Sequence, residues 1–483
     1  MVEHNSNRWS RAWILPLWAV LTPLLPGADI VFEDPRTERL GHVPEALTIG
    51  DVNGDGRLDA AVANSSADGD PGGDTVTILL GKKDGSLAAA GAYTAGKRPE
   101  GILLLRADGD ENLDVVTANF GSNSVSVLLG DGSGQFAAPA VITVAGGPRY
   151  VVSSDFTADG KADLATANFN GDSVTILQGN GKGGFAPLHT VGVKDGPEVL
   201  ALARLDGDAY LDLVTANSRH NSISPLAGDG KGNFSLKAYH RVGIRPRFVL
   251  ARDLDGDGLD DLIVANHDEN TIGVERNKGN YAFERVRTLS SPGLLHPVYL
   301  DIADLDGNGA PDLLATWAGS DRFTFFPGSS SSFAFESPMT IEAGSHPVGI
   351  AAADLDGDGD RDVLVTNALD DTSHLFRVKL PRPAVFTFRR GDANGDTRTN
   401  LSDVIYVLTF LFRGGERPGC LQSADMNRSG SINISDPVYL LVHLVAGGPA
   451  PPLPFGNCGE DPEPSTVSCE TSPCSLPVAP PPQ

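Results

Sequence analysis

The chain has 483 residues, with 37 basic and 62 acidic side chains that give a formal net charge of −25 at pH 7. This acidity argues against nucleic acid or an anionic membrane surface as a partner. With 56 Gly and 34 Pro but only three Met and 7% aromatic residues, the composition favours many short strands joined by polar turns over a helical enzyme.

The N-terminal segment has the pattern of an export signal. Arg8 and Arg11 precede an almost wholly apolar stretch at 12–25, and small residues follow up to Ala28. A basic start, a short apolar core and a small residue at the end are typical of a secretory signal peptide. We therefore predict that residues 1–28 are a signal peptide and that the protein is secreted or held at the cell surface.

One unit of about fifty residues recurs seven times between residues 29 and 380. Each unit begins with Pro and an apolar run, passes through an acidic loop, and continues with a second apolar run that usually ends in Ala-Asn. The repeat prolines are Pro44, Pro99, Pro148, Pro197, Pro246, Pro297 and Pro347. Two further short strands follow in most units. Four short strands per unit predict an all-β seven-bladed propeller over residues 29–380.

The seventh repeat lacks the Gly-rich turn and fourth strand of the others. The segment before the first repeat, Ile30 to Leu40, has the pattern of that missing strand. We predict that it completes the seventh blade beside residues 373–380. Such an exchange between the two ends of the propeller would remove the exposed sheet edges of an open array.

The acidic loops have the spacing of calcium sites. The first loop reads DVNGDGRLD, with oxygen-bearing side chains at positions 1, 3, 5 and 9. Together with a backbone carbonyl at position 7, such a set wraps a hard cation such as Ca²⁺. Several carboxylates this close also repel one another unless a cation is present. The predicted ligands are Asp51, Asn53, Asp55, Asp59, Asp155, Thr157, Asp159, Asp163, Asp253, Asp255, Asp257, Asp261, Asp304, Asp306, Asn308, Asp312, Asp354, Asp356, Asp358 and Asp362.

The second and fourth loops differ at their first position, where they carry Arg106 and Arg204. We predict that these guanidinium groups pair with the loop carboxylates and replace the cation. About five structural calcium ions would then remain in the propeller, each with its ligands supplied by the protein.

The repeated DxDGDGxxD loops resemble those of the FG-GAP or VCBS family, the calcium-loop propellers of integrin α-chains and many bacterial surface proteins. The resemblance covers about residues 30–380. It implies a seven-bladed propeller used mainly for recognition, although a shared fold alone does not fix function.

Residues 391–460 contain two twelve-residue acidic loops, each followed by an amphipathic segment and Gly-Gly. Oxygen-bearing residues stand at positions 1, 3, 5, 9 and 12, the EF-hand spacing. We expect two short helices whose apolar faces either bury one another or serve a partner. These faces carry Val404, Val407, Leu408 and Leu411 on the first helix and Val438, Leu441 and Leu444 on the second. The predicted ligands are Asp392, Asn394, Asp396, Asn400 and Asp403 in the first loop and Asp425, Asn427, Ser429, Asn433 and Asp436 in the second.

This duplicated loop–helix unit resembles a dockerin type I module, a small α-helical EF-hand-like domain. The resemblance implies two more calcium ions and attachment to a cohesin-like partner. Positions 10 and 11 are Leu401-Ser402 and Ile434-Ser435, which differ from the Ser-Thr pair frequent in that family. Residues 381–390 are expected to be a linker, and 461–483 form a Pro-rich tail.

All four cysteines lie in the C-terminal part of the chain, at Cys420, Cys458, Cys469 and Cys474. An even number in an exported chain favours two disulfides. Four cysteines allow three connectivities, of which we favour a pair between Cys420 and Cys458.

The end of the propeller opposite the acidic loops collects basic and aromatic residues. In a four-stranded antiparallel blade, the loops that follow the second and fourth strands share one end. Such a face would suit an acidic glycan or protein, with an ordinary solvated face as the alternative. The candidates for ligand contact are Arg149, Tyr150, Arg247, His296, Trp317 and Arg322.

Three functions are compatible with these features. The preferred one is a secreted, non-enzymatic calcium-binding recognition or adhesion protein, whose propeller binds a glycan or extracellular protein. The second is a polysaccharide lyase or glycoside hydrolase, whose candidates Glu45, Glu100, Arg149, Glu198 and Arg247 follow repeat prolines. No pair of acids at a defined spacing favours this second reading. The third is a structural surface or matrix protein.

Overall fold

The computed structural model describes residues 30–65, 73–380, 390–395, 398–418, 420–429 and 431–452. The predicted signal peptide, most of the linker, Asp396, three of the four cysteines and the Pro-rich tail lie outside these residues. The chain divides into two compact units, Met1–Leu380 and Pro381–Gln483. Cys420 is disulfide-bonded, but its predicted pairing with Cys458 stays a prediction.

The first unit contains seven blades. Six are sheets of four strands, and the fourth blade has its outer strand in two pieces. The innermost strands are β3 (Pro44–Gly50), β7 (Pro99–Leu105), β11 (Pro148–Ser154), β15 (Pro197–Ala203), β20 (Pro246–Arg252), β24 (Pro297–Ala303) and β28 (Pro347–Ala353). The second strands are β4 (Asp59–Asn64), β8 (Asp114–Asn119), β12 (Asp163–Asn168), β16 (Asp212–Asn217), β21 (Asp261–Asn266), β25 (Asp312–Trp317) and β29 (Asp362–Asn367).

The third strands are β5 (Thr75–Gly81), β9 (Ser124–Leu128), β13 (Ser173–Gly179), β17 (Ser222–Gly228), β22 (Thr271–Asn277), β26 (Arg322–Phe326) and β30 (Thr372–Phe376). The outer strands are β6 (Leu87–Thr94), β10 (Ala140–Thr143), β14 (Phe185–Gly192), β18 (Phe234–Leu236) with β19 (His240–Arg241), β23 (Phe283–Leu289), β27 (Met339–Glu342) and β2 (Arg36–Arg39). A two-stranded sheet joins β1 (Val31–Phe32) to β31 (Val378–Lys379).

The seven innermost strands form a closed ring. Each packs against the innermost strand of the next blade, and β28 packs against β3. Every residue of the seven second strands is buried. They read as continuous apolar runs because neighbouring blades cover both of their faces, whereas outer strands such as β23 alternate. The predicted seven-bladed propeller is confirmed.

The two ends of the propeller meet in the seventh blade. Strand β2 pairs antiparallel with β30, with Arg36 opposite Leu375 and Arg39 opposite Thr372. The segment from Ile30 to Leu40 therefore supplies the strand that the seventh repeat lacks, as the sequence predicts. We call this pairing the clasp. It leaves no unpartnered third strand in the seventh blade.

A repeated hydrogen bond, which we call the blade link, joins each blade to the next. The residue before each repeat Pro donates its backbone N–H to an Asn or Asp that immediately precedes the third strand of the previous blade. All seven acceptors have left-handed backbones, with φ of 45° to 59°, a conformation that Asn and Asp tolerate well. The links run from Val43 to Asp371, Arg98 to Asp74, Gly147 to Asn123, Gly196 to Asp172, Arg245 to Asn221, His296 to Asn270 and His346 to Asp321, at 2.7–2.9 Å.

The second unit has three short helices, α1 (Leu401–Arg413), α2 (Leu421–Ala424) and α3 (Ser435–Ala446). Asn400 begins α1 with a capping box in which Asp403 accepts from the Asn400 N–H. Gly414 and Gly447 end the two longer helices in left-handed conformation, as the Gly-Gly pairs predict.

The predicted apolar face of α3 is not the face that the second unit buries. Val438, Leu441 and Leu444 are exposed, and the helix instead buries Pro437 and Leu440. The reason lies in the first turn of the helix. Its acidic residue, at position 12 of the second loop, points inward to accept two backbone N–H groups of that loop. The buried position of this carboxylate determines which face of α3 packs into the core of the second unit. None of the described helices is long and apolar enough to cross a membrane.

Candidate functional site

The charged residues that follow the repeat prolines converge on the propeller axis. A β-bulge separates each repeat Pro from the regular pairing of its innermost strand. The residue after the Pro lines the axis in all seven blades. We call this end of the axis the axial mouth; its charged members are Glu45, Glu100, Arg149, Glu198 and Arg247.

From Glu100 to Arg247, negative and positive charges alternate around the mouth. The Arg149 Nε lies 3.3 Å from a Glu100 carboxylate oxygen, and its Nη1 donates to Glu198 at 2.5 Å. The Arg247 Nε lies 4.0 Å from the same Glu198 oxygen. These half-buried pairs hold the guanidinium groups in fixed positions, which preorganises them for a ligand.

The acids of the mouth differ in how readily they ionise. Burial raises the pKa of Glu100 to about 7, and the charge of Glu45 adds to the rise although Arg149 lies alongside. Burial acts in the same direction on Glu198, but Arg247 and Arg149 outweigh it and hold its pKa below the ordinary value. Glu100 is therefore the group at the mouth that can exchange a proton near neutral pH.

Aromatic side chains close the axis beneath the charges. The hydroxyl groups of Tyr150 and Tyr299 lie 3.2 Å apart across the axis, and the rings of Phe248 and Tyr299 have centroids 4.0 Å apart. The cavity above this floor has a volume of about 50 Å³, enough for a few water molecules but not for a sugar ring. A larger ligand would therefore bind across the mouth rather than within the channel.

A row of alternating Arg and Phe side chains extends outward from the mouth. The Arg149 guanidinium lies 4.0 Å from the Phe169 ring centroid and 4.9 Å from that of Phe120. Arg98 stacks on Phe120 at 4.7 Å and Arg219 on Phe169 at 4.0 Å. We call these five residues the Arg–Phe strip. The sequence offered a signal for it, because Phe120 and Phe169 both follow an Ala-Asn pair.

Of the six residues predicted to contact a ligand, four have side chains at or near the mouth and two do not. Arg149, Tyr150 and Arg247 line the mouth, and His296 lies before a repeat Pro next to another histidine. Trp317 lies at this end, paired with Pro297, but its predicted contact with a ligand is wrong. It is completely buried, and its indole N–H donates to Thr324 at 2.9 Å.

Arg322 also lies away from the mouth. It begins the third strand of its blade and pairs with Glu342 of the outer strand at 3.2 Å. The Arg322 charge is therefore paired within its own blade, away from the charged residues of the mouth.

The acidic loops lie at the other end of the innermost strands. In every loop the Asp at position 9 is buried and accepts at least two backbone N–H groups. In the sixth loop, for example, Asp312 accepts from Leu305 at 2.7 Å and from Gly328 at 2.6 Å. This carboxylate joins the loop to the end of the third strand, so it has a structural role whether or not an ion is bound.

Three loops bring their carboxylates together. At positions 1, 3 and 9 of loops five, six and seven, the carboxylate oxygens lie within 4.8 Å of one another. Burial, with added repulsion from the neighbouring carboxylates, raises the pKa of Asp261, Asp312 and Asp362 to about 6. Loops one and three carry Asn53 and Thr157 at position 3 and have fewer carboxylates to gather.

The predicted role of the two loop arginines is wrong. The Arg106 Nε donates to the Glu111 carbonyl at 2.9 Å and lies 4.0 Å from the Glu111 carboxylate, but it forms no described ion pair with Asp108, Asp110 or Asp114. Arg204 forms no ion pair with a loop carboxylate among the described residues. In the fourth loop the carboxylates are instead met by Tyr281 of the next blade, whose hydroxyl lies 2.6 Å from Asp206 and 3.2 Å from Asp212.

Replacing Tyr281 with Phe is expected to lower the free energy of unfolding of the propeller by about 1–2 kcal/mol, because a hydrogen bond to a charged group is lost. Burial and the two carboxylates raise the pKa of Tyr281, so its hydroxyl remains a donor. Urea unfolding would measure the change, with Tyr210→Phe, in the fourth acidic loop that Tyr281 contacts, as control. Equal stability of the two variants would contradict a role for the Tyr281 hydroxyl.

In the second unit, the predicted loop residues mostly hold the loops to their helices. Asp436 accepts from Asn433 and Asn427, as Asp403 does from Asn400 and Asn394 in the first loop. The remaining predicted ligand of the first loop, Asp396, lies outside the described residues.

The repeat unit is similar to a known family. The FG-GAP-like repeat matches residues 107–166, 155–215, 253–315 and 304–365, each match running from one acidic loop to the second strand of the next blade. The chain therefore contains FG-GAP-like repeats, which in a propeller suggest a binding or recognition role. No curated protein gives a significant match.

Solved structures resemble the propeller. BBS1N in complex with ARL6DN matches with a TM-score of 0.53 and 11% identity, over 73% of this chain and 98% of that one. The periplasmic gluconolactonase PpgL of Pseudomonas aeruginosa has a TM-score of 0.50 and 20% identity, over 62% and 86%. A Lactobacillus plantarum protein has 0.50 and 14%, over 67% and 94%. At such low identity the likeness concerns the fold alone.

Proposed function

We propose that this propeller of FG-GAP-like repeats belongs to an exported, calcium-binding recognition protein that binds an acidic glycan across its axial mouth. The observation that carries this proposal is the Arg–Phe strip beside the alternating charges of the mouth. Aromatic faces pack against sugar rings, guanidinium groups bind carboxylates or sulfates, and the mouth carboxylates accept from hydroxyl groups. An extracellular protein with an acidic surface is the alternative ligand.

The strip is favoured because its outer arginine is available. Arg219 is exposed and stacks on Phe169, and its only described polar partner is the Asn170 side-chain oxygen at 3.3 Å. Arg149, in contrast, is neutralised by Glu100 and Glu198. An anionic ligand would therefore gain most at the outer end of the strip.

Replacing Arg219 with Glu is expected to weaken binding to an acidic polysaccharide about tenfold or more, since hydrogen bonds to charged groups contribute roughly 1.5–3 kcal/mol. The protein would be incubated with a panel of neutral and acidic polysaccharides in calcium, and both its depletion from solution and new chain ends would be measured. Arg322→Glu, away from the mouth, is the matched control. Equal loss in both variants, or none in either, would contradict a ligand site on the strip.

Calcium is proposed for about five propeller loops on the basis of their donor chemistry. The clustered oxygens of loops five to seven form the hard, all-oxygen set that Ca²⁺ prefers. Two oxygens at predicted ligand positions, Asp304 Oδ1 and Thr157 Oγ1, are buried without a hydrogen-bond partner among the described residues. A cation would satisfy both. Two further ions are proposed for the loops of the second unit.

The second unit is proposed to attach the protein to a cohesin-like or other protein partner. Its two longer helices present exposed apolar side chains at equivalent positions of the duplication. Leu401, Ile405 and Phe412 of α1 match Ile434, which directly precedes α3, and Val438 and Val445 of α3. Exposed apolar residues in such an arrangement favour a protein partner over free solvent.

An enzyme acting on polysaccharide is the second candidate, favoured by one observation. Glu100, with its pKa raised to about 7, could act as an acid or base at the mouth. New chain ends in the polysaccharide experiment that disappear in Glu100→Gln would establish this activity. Depletion without new ends would support recognition, and neither effect would favour a structural surface or matrix protein.

A further inference from the structure

Two histidines and an aspartate from adjacent blades meet beside the axial mouth. One nitrogen from each imidazole, of His267 and His296, and one carboxylate oxygen of Asp268 lie within 4.8 Å of one another. The His267 Nδ1 is 2.6 Å from Asp268 Oδ1. The two rings are nearly parallel, with centroids 4.4 Å apart and an angle of 5° between their planes.

The backbone fixes the positions of both histidines. His267 follows the last residue of β21, and its N–H donates to the Arg245 carbonyl at 3.0 Å. His296 is the residue before a repeat Pro, has a left-handed backbone with φ of 61°, and donates to Asn270 in a blade link of 2.8 Å. The cluster is therefore built across the junction of the fifth and sixth blades rather than on a free loop.

We propose that His267, Asp268 and His296 bind a divalent transition-metal ion such as Zn²⁺. Two imidazole nitrogens and one carboxylate oxygen form a donor set that favours such an ion over Ca²⁺, which takes oxygen ligands. The Cβ–Cγ torsions of both histidines are soft, so the stacked rings can turn a lone pair toward a shared ion. Three protein ligands leave a tetrahedral ion one open position.

Neighbouring side chains already contact one oxygen of the Asp268 carboxylate. The Arg245 guanidinium lies 3.5 Å from Asp268 Oδ1, the same oxygen that contacts His267, so Asp268 Oδ2 remains for the ion. The open position would lie at the mouth end of the propeller, where an anionic ligand group could occupy it. The site differs from the acidic loops both in ligand chemistry and in location.

The test is calorimetric titration of the whole protein with Zn²⁺, in calcium high enough to saturate the acidic loops. We expect one Zn²⁺ site in the wild type. His267→Ala and His296→Ala should each lower its affinity for Zn²⁺ by at least about tenfold, because loss of a residue that only supports a metal ligand already costs that much. The matched control is His346→Ala, which changes the equivalent residue before Pro347 in the next blade. Melting curves without zinc would establish that all variants fold.

Spectroscopy with Co²⁺ gives a second measure. Binding in the wild type should produce visible absorption bands of a site with nitrogen ligands, and these should disappear in the two histidine variants but persist in His346→Ala. Absence of Zn²⁺ binding in the wild type, or binding unchanged in both His267→Ala and His296→Ala, would overturn the proposal. Neither result depends on whether the propeller binds a glycan.

Discussion

Removal of calcium is expected to lower the melting temperature of the propeller. An ion that binds only the folded state, at a free concentration 100 times its Kd, stabilises it by about 2.7 kcal/mol. Each 1 kcal/mol corresponds to roughly 2–4 °C in a domain of 150–250 residues and to less in a larger one. With about five sites proposed, EDTA should shift the propeller transition by well over 10 °C in differential scanning calorimetry.

Two matched variants test whether the calcium-dependent stabilisation comes from the acidic loops. Asp257 and Asp208 both occupy position 5 of their loops and accept the same local N–H, at 2.9 Å and 2.7 Å. Asn at either position preserves that hydrogen bond. Asp257→Asn, in a loop with a proposed ion, should reduce the calcium-dependent stabilisation by about one site's share. Asp208→Asn, in the loop met by Tyr281, should not change it. A propeller transition unmoved by EDTA would refute the calcium assignment.

Loss of the clasp is expected to be equally severe. A variant without residues 30–40 would leave β30 with an open edge and remove Phe32, whose ring lies 5.8 Å and 6.1 Å from those of Phe323 and Phe325. Burial of one Phe contributes about 1.5–3 kcal/mol and each ladder hydrogen bond about 0.5–1.5 kcal/mol. The sum is comparable with the total stability of many proteins, so we expect unfolding or aggregation by size-exclusion chromatography.

Proline substitutions test the clasp without deletion. The Leu40 N–H donates to the Asp371 carbonyl, so the alternation of an antiparallel ladder places Glu38 in a hydrogen-bonded pair and turns the Thr37 N–H to solvent. Glu38→Pro should lower the free energy of unfolding by about 1–3 kcal/mol, whereas Thr37→Pro on the same edge strand should cost much less. Equal stability of the two variants in urea would contradict the register.

The fold could be predicted because every repeat has the same sequence pattern. A Pro, an apolar run, a Gly-containing acidic loop and a second apolar run recur at nearly constant spacing, and strands of that length require neighbouring blades to bury them. The placement of Glu45, Glu100 and Arg149 at one end followed from their shared position after the repeat Pro.

The errors arose where one residue was considered without its repeat. Trp317 occupies the position held by Asn168 or Asn266 in other repeats, the last residue of a fully buried strand, so alignment of the repeats would have placed it in the core. The contact of Tyr281 with Asp206 spans 75 residues and two blades. The spacing of residues in the sequence does not predict such a contact, because the contact depends on how neighbouring blades pack against each other.

The blade links have a practical consequence for engineering. In six blades four positions separate the end of the second strand from the link acceptor, as from Asn266 to Asn270, but in the first blade Asn64 and Asp74 are ten positions apart. Asp74 nevertheless accepts from Arg98 at 2.7 Å like its counterparts. The hydrogen bond to the acceptor is therefore kept in a blade with six additional residues before it. Foreign peptides grafted between the second strand and the acceptor of any blade could be displayed around the axis while the ring is preserved.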